Sequence, residues 1–109
     1  MQIITGEVNE NLIVNEDVLL SGTCNGNIYI EKDGALALEG TCNGIIIVKD
    51  LGVATIHGTV NGYIFNLGGE LFVYENAIIL GGAYHIYGVS QGNVTYLSEE
   101  PPSDDEFSE

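Results

Sequence analysis

One five-residue pattern recurs at a set spacing. Gly22-Thr23-Cys24-Asn25-Gly26 returns as Gly40-Thr41-Cys42-Asn43-Gly44 and again as Gly58-Thr59-Val60-Asn61-Gly62, 18 residues apart each time. A degenerate copy, Gly6-Glu7-Val8-Asn9-Glu10, lies 16 residues before the first. One more step of 18 reaches Asn76-Ala77-Ile78-Ile79-Leu80, which keeps only the apolar third position. A repeat this short cannot bury an apolar face alone and must stack on its neighbours. Within the repeat the hydrophobic period is two. From Val18 to Val48, 15 of 16 even-numbered positions are apolar or glycine, and nine of the 15 odd positions between them are polar or acidic. That alternation describes strands with one buried face. The steps of 18 and 16 are even, so the same parity points inward from coil to coil.

The sequence therefore predicts an all-β, single-stranded β-solenoid of about five coils of ~18 residues, each coil ~4.8 Å above the last. Three inward columns are expected: Val8, Cys24, Cys42, Val60 and Ile78; Leu12, Ile28, Ile46 and Ile64; and Leu20, Leu38, Ile56 and Tyr74. The recurring glycines, such as Gly22, Gly40 and Gly58, share the inward parity. They are expected at corners that have no room for side chains and that also use positive φ. The solenoid domain is assigned to residues 1–97 and an acidic flexible tail to residues 98–109.

The pattern Gly58-Thr59-Val60-Asn61-Gly62-Tyr63-Ile64 resembles the bactofilin-type polymer-forming domain, over roughly residues 4 to 90. The resemblance implies a right-handed β-helix that assembles end to end into filaments. Departures from that family are expected in the start, where no membrane-targeting segment is read before the first coil, in the short acidic tail and in the one-sided charge. A left-handed hexapeptide helix ranks second, because Cys24, Ile30, Leu36, Cys42, Val48, Ala54 and Val60 also fall at steps of six. In that frame Leu38 and Ile56 would sit at turns, which ranks it below the right-handed form. Hexapeptide helices are often acyltransferases, and this chain offers two histidines, His57 and His85.

Charge narrows the function. The 109 residues carry 16 acids and two lysines, a formal net charge of −14. Without basic patches there is nothing to clamp phosphates, which argues against nucleic acid and anionic membranes as partners. Residues 1–97 alone hold ten acids and both lysines. The first residues lack a basic region followed by an apolar run, so a cytoplasmic location with reduced thiols is expected. The uncharged stretches, Leu51 to Gly69 and Asn76 to Ser98, are too rich in glycine and asparagine to read as spans.

No catalytic motif, metal-ligand set or cofactor motif stands out, and the chain is read as a non-enzyme. Cys24 and Cys42 read as small buried hydrophobes, and His57 and His85 as ordinary histidines. Asn25, Asn43 and Asn61 read as a structural ladder. The outward apolar residues are more informative. Ile13, Tyr29, Ile47 and Phe65 share one column, with Ile45 and Tyr63 two positions earlier. A contiguous patch of that kind marks an interface. Glu31, Asp33 and Asp50 on the body, and Asp104, Asp105, Glu106 and Phe107 in the tail, complete the candidate partner-binding set. The expected partner is a basic protein, such as a nuclease toxin neutralised by a bacterial immunity protein. Self-association through the solenoid ends or the stripe, as in a bactofilin-like scaffold, is the alternative.

Overall fold

The structure is a computed structural model that describes residues 1–88 and 92–97. It is an all-β solenoid of about five coils, with every strand pairing in the ladders parallel. Each coil contributes one strand to each of three sheets. Face A holds six strands in the order β1 (Gln2–Ile4), β4 (Asp17–Leu20), β7 (Ala35–Leu38), β10 (Val53–Ile56), β13 (Glu70–Tyr74) and β16 (Asn93–Leu97). Face B holds β2 (Glu7–Val8), β5 (Thr23–Cys24), β8 (Thr41–Cys42), β11 (Thr59–Val60) and β14 (Ile78–Ile79). Face C holds β3 (Leu12–Val14), β6 (Ile28–Ile30), β9 (Ile46–Lys49), β12 (Ile64–Leu67) and β15 (Ile86–Tyr87). The described residues contain no α-helix, and their single 3-10 turn spans Gly82–His85.

Alternation puts one side chain in two into the core. Leu20, Leu38 and Ile56 stack in register on face A, Cys24, Cys42 and Val60 on face B, and Ile28, Ile46 and Ile64 on face C. All nine are fully buried. Burying one apolar side chain of this size contributes roughly 1.5–3 kcal/mol, so stacked columns carry the stability. Leu38 and Ile56 close strands β7 and β10 rather than lying at turns.

The corner glycines are needed for close approach. A Cβ on Gly40 would collide with the carbonyl oxygen of Gly22 in the coil below, and one on Gly58 with that of Gly40. The expectation of positive φ at these corners is wrong. Positive φ occurs at Gly68, Gly81, Gly82 and Gly88 instead, all above the regular repeat.

The last coil changes parity. Val53 pairs with Glu70, an odd step of 17. Leu71 and Val73, odd-numbered, therefore take the buried positions above Ala54 and Ile56. This corrects the third column, where Val73 and not Tyr74 faces inward. On face B, Val60 pairs with Ile79, a step of 19. Ile79 thus takes the expected place of Ile78, which is 62% exposed above Thr59. Ile64 then pairs with Ile86, and the 3-10 turn absorbs the extra residues. The step first becomes odd around Gly68, whose φ is +119°.

Asn66 secures that change. It occupies the core column of Val14, Ile30 and Val48 and is the one buried polar residue among those described. Its Nδ2 donates to the Asn93 carbonyl at 2.9 Å, and its Oδ1 accepts from the Gly69 N–H at 2.9 Å. A buried amide satisfied on both sides offsets its desolvation. It ties the fourth coil to β16.

Candidate protein-binding face

The outward stripe on face C forms as the alternation requires. Ile13, Tyr29, Ile47 and Phe65 stand in register, and Tyr87 extends the column by one coil. Ile45 and Tyr63 occupy the neighbouring outward column, preceded by Asn11 and Asn27 in the lower coils. On the other side, Glu31 and Lys49 are followed by Leu67, which pairs with Lys49. The face thus grows more apolar toward the upper coils. Tyr63, Leu67 and Tyr87 are 41%, 45% and 44% exposed, large values for apolar side chains in adjacent rows. Phe65 is half-buried between them.

The rings support one another. Phe65 and Tyr87 stack with centroids 5.3 Å apart at 20°. Tyr63 lies 5.7 Å from Tyr87 and 4.4 Å from His85. Such pairs contribute roughly 0.5–1.5 kcal/mol beyond area burial and hold the rings in place before any partner arrives. Lys49 Nζ contacts Glu31 Oε2 at 2.9 Å and lies 5.9 Å from the Tyr29 ring centroid.

Acidic residues border one edge of this face. The corner between faces C and A carries Glu16, Asp17, Glu31, Asp33, Asp50 and Glu70, six of the ten acids of residues 1–97, with both lysines. Asp33 and Leu51 occupy equivalent turns with φ of 68° and 67°, and the Asp33 N–H donates to the Leu51 carbonyl. Leucine is strained in that conformation, and Leu51 is nonetheless 60% exposed. Asp104, Asp105, Glu106 and Phe107 lie outside the described residues.

Face B spends its outward polar groups internally. Asn25 Nδ2 donates to Asn9 Oδ1 at 2.7 Å, Asn43 to Asn25 at 2.6 Å and Asn61 to Asn43 at 2.7 Å. A second, shorter ladder runs through side chain and backbone, with Asn11 Oδ1 accepting from the Asn27 N–H and Asn27 Oδ1 from the Ile45 N–H. The outward Thr23, Thr41 and Thr59 pair in register, with Glu7 and Ile78 at the two ends.

The two thiols of the body serve packing. Cys24 and Cys42 are free thiols buried in one column. Burial pushes the Cys42 thiol up to about 11, against a hydrogen bond from Gly44 and with a smaller push from Cys24. Burial also raises Cys24, opposed by a hydrogen bond at Gly26. A neutral buried thiol is a poor nucleophile. His57 stacks on Tyr74 at 3.9 Å. His85 ends the 3-10 turn, and its buried Nδ1 has no hydrogen-bond partner among the described residues. No group of three or more His, Cys, Asp or Glu among the described residues could hold a metal ion, and none of their helices is long and apolar enough to cross a membrane.

Sequence reasoning missed Tyr87 because the last coil departs from the step of 18, and missed Leu67 although it stands 18 residues after Lys49 at an outward position. It also missed a second outward column on face A, Ile3, Leu19, Ala37, Thr55 and Phe72, apolar except for Thr55. The signal was present, since Leu19, Ala35 and Ala37 are apolar at odd positions of the regular repeat. Comparison of the chain with protein families, with curated proteins and with solved structures finds no match.

Proposed function

We propose that this protein is a non-enzymatic binding module that captures a basic protein through face C. The observation that carries the reading is the in-register column from Ile13 to Phe65, widened by Tyr63, Leu67 and Tyr87 and bordered by the acidic corner. Aromatic anchors in a pre-ordered cluster are the usual centre of binding energy. The surrounding negative charge speeds encounter with a positive partner. A cytoplasmic inhibitor of a basic toxin such as a nuclease, as bacterial immunity proteins are, fits this combination best.

The test is capture of proteins from the source cell by the intact chain and by two double variants. Tyr63→Glu with Phe65→Glu alters face C, and Asn25→Ala with Asn43→Ala alters face B. A basic protein retained at low salt, lost with the first variant and kept by the second, is the expected result. Retention that ignores both variants would remove face C from the account.

A second reading has its own observation. Among the described residues, strands β1 and β16 each have one paired neighbour, so the ends of the solenoid present strand edges. Unpaired edges invite stacking. With the resemblance to the bactofilin-type domain, they support a scaffold that assembles end to end. Light scattering across protein concentration separates the readings: discrete small species favour the binder and growing polymers the scaffold.

A further inference from the structure

Three Asn-Gly dipeptides stack just after the strands of face B: Asn25-Gly26, Asn43-Gly44 and Asn61-Gly62. In such a pair the side-chain amide and the next main-chain nitrogen can react, because glycine has no Cβ to shield its N–H. All three asparagines are exposed, so water reaches each. Their restraints differ. Asn25 and Asn43 each donate to the asparagine below and accept from the one above. Asn61 ends the ladder. It donates to Asn43 Oδ1 at 2.7 Å. The strand above pairs Ile79 with Val60 and then brings Leu80, which has no amide to continue the series. Turning the Asn61 amide toward Gly62 therefore breaks one ladder bond, whereas turning that of Asn43 breaks two.

The corner after each dipeptide differs in the same sense. Asn11 Oδ1 holds the Asn27 N–H at 2.9 Å, and Asn27 Oδ1 holds the Ile45 N–H at 3.0 Å. Ile45 takes the place of an asparagine one coil higher, so among the described residues the Tyr63 N–H has no such bond. The Gly26 and Gly44 N–H groups also donate toward the thiols of Cys24 and Cys42, and Val60 offers Gly62 no such acceptor. We propose that Asn61-Gly62 is a site of spontaneous covalent modification in the folded protein, selected over Asn25 and Asn43 by these missing restraints. The Gly62 nitrogen gives its proton to solvent and attacks Asn61 Cγ. A C–N bond forms and closes a succinimide ring, while the Cγ–Nδ2 bond breaks and Nδ2 leaves as ammonia. Water then opens the ring. Addition at Cγ gives aspartate at position 61. Addition at the main-chain carbonyl carbon gives isoaspartate, whose path to Gly62 is one carbon longer. Either product carries a carboxylate that cannot donate to Asn43 Oδ1, so the top rung of the ladder is lost and the acidic chain gains a further negative charge.

The two lysines suit the test, because trypsin cutting after Lys32 and Lys49 leaves the three dipeptides in three separate peptides. The full-length folded protein is held in warm, mildly alkaline buffer, sampled over time and digested. Mass spectrometry with fragmentation then follows the exchange of NH for O at each asparagine against the starting sample. The same series in urea gives the unfolded rates. The expected result is conversion at Asn61 severalfold faster than at Asn25 or Asn43 in the folded chain, as a mixture of aspartate and isoaspartate, with the three rates drawn together in urea. Ile45→Asn, which supplies the missing corner acceptor, should slow Asn61 severalfold while far-UV circular dichroism shows the fold retained. If that variant unfolds, the comparison of the three sites in the unaltered protein still decides. Equal folded rates at the three sites, a faster Asn25 or Asn43, or a folded Asn61 that stays intact while the unfolded chain reacts would overturn the proposal. An unchanged Asn61 rate in folded Ile45→Asn would overturn it as well.

Discussion

Faces B and C are built on the same inward logic and end in opposite outward chemistry. Both place one apolar column in the core at matched register, Cys24–Cys42–Val60 on one and Ile28–Ile46–Ile64 on the other. On face B the outward asparagines bond to one another along the stack, so Asn25 and Asn43 each commit one donor and one acceptor to the fold. On face C the outward rings contact one another but keep exposed area, with Tyr63 and Tyr87 each more than two-fifths accessible. A solenoid commits only half of its side chains to folding. The other half is free to differ face by face, and that half separates the asparagine-laddered face from the one proposed to bind.

The largest expected effect tests the shared half. Ile46→Ala removes the centre of the face C column and should destabilise the protein by about 2–5 kcal/mol, read as a lower midpoint in urea. A loss below ~1 kcal/mol would mean that the columns are not close-packed. Next comes the outward half of face C. Tyr63→Ala should cost at least ~2 kcal/mol in affinity for a captured basic partner, while stability shifts by less than ~1 kcal/mol. Titration calorimetry and urea unfolding on the same sample separate the two. Smaller again is the outward half of face B. Asn43→Ala deletes two ladder bonds and should cost about 1–2 kcal/mol of stability, with partner affinity unchanged; a drop in affinity would make face B part of the interface.

The smallest effect concerns pH. The Cys42 thiol is held protonated up to about 11 in the folded state, chiefly by burial. The unfolded chain releases this proton near the ordinary thiol value, so above that value the folded state binds more protons. Stability should therefore fall as pH rises from about 9 to about 11. Cys42→Val, which copies Val60 in the same column, should flatten that part of the profile. An unchanged slope would place the thiol outside the core.

The regular coils were legible because period two and an even coil length together determine which side chains meet. Those two facts placed Cys24 on Cys42 and Tyr29 on Ile47. They failed where the step became odd. Nothing in the pattern near Gly68 announces a missing residue, because Asn66 at an inward position reads as a break rather than as the amide that bridges the irregular corner. Val73 in place of Tyr74 follows from the step of 17 on face A, and Ile79 in place of Ile78 from the separate step of 19 on face B. The corner glycines were placed correctly and for a reason that holds, since a side chain there would meet the coil below; only positive φ lies elsewhere. The stripe was half read. Parity placed Ile13 to Phe65 outward and offered Leu67 at the regular step from Lys49, whereas Tyr87 became visible only once the last coil had its register.

The central claim is that partners meet the rings of face C and leave the remaining surface untouched. Hydroxyl-radical footprinting of the complex with the captured basic protein tests it most directly, because tyrosine and phenylalanine side chains report their own accessibility. Tyr63, Phe65 and Tyr87 should lose most of their oxidation on binding, while Tyr74, on the far side of His57, keeps its own. Protection of Tyr74 with face C unchanged would contradict the account.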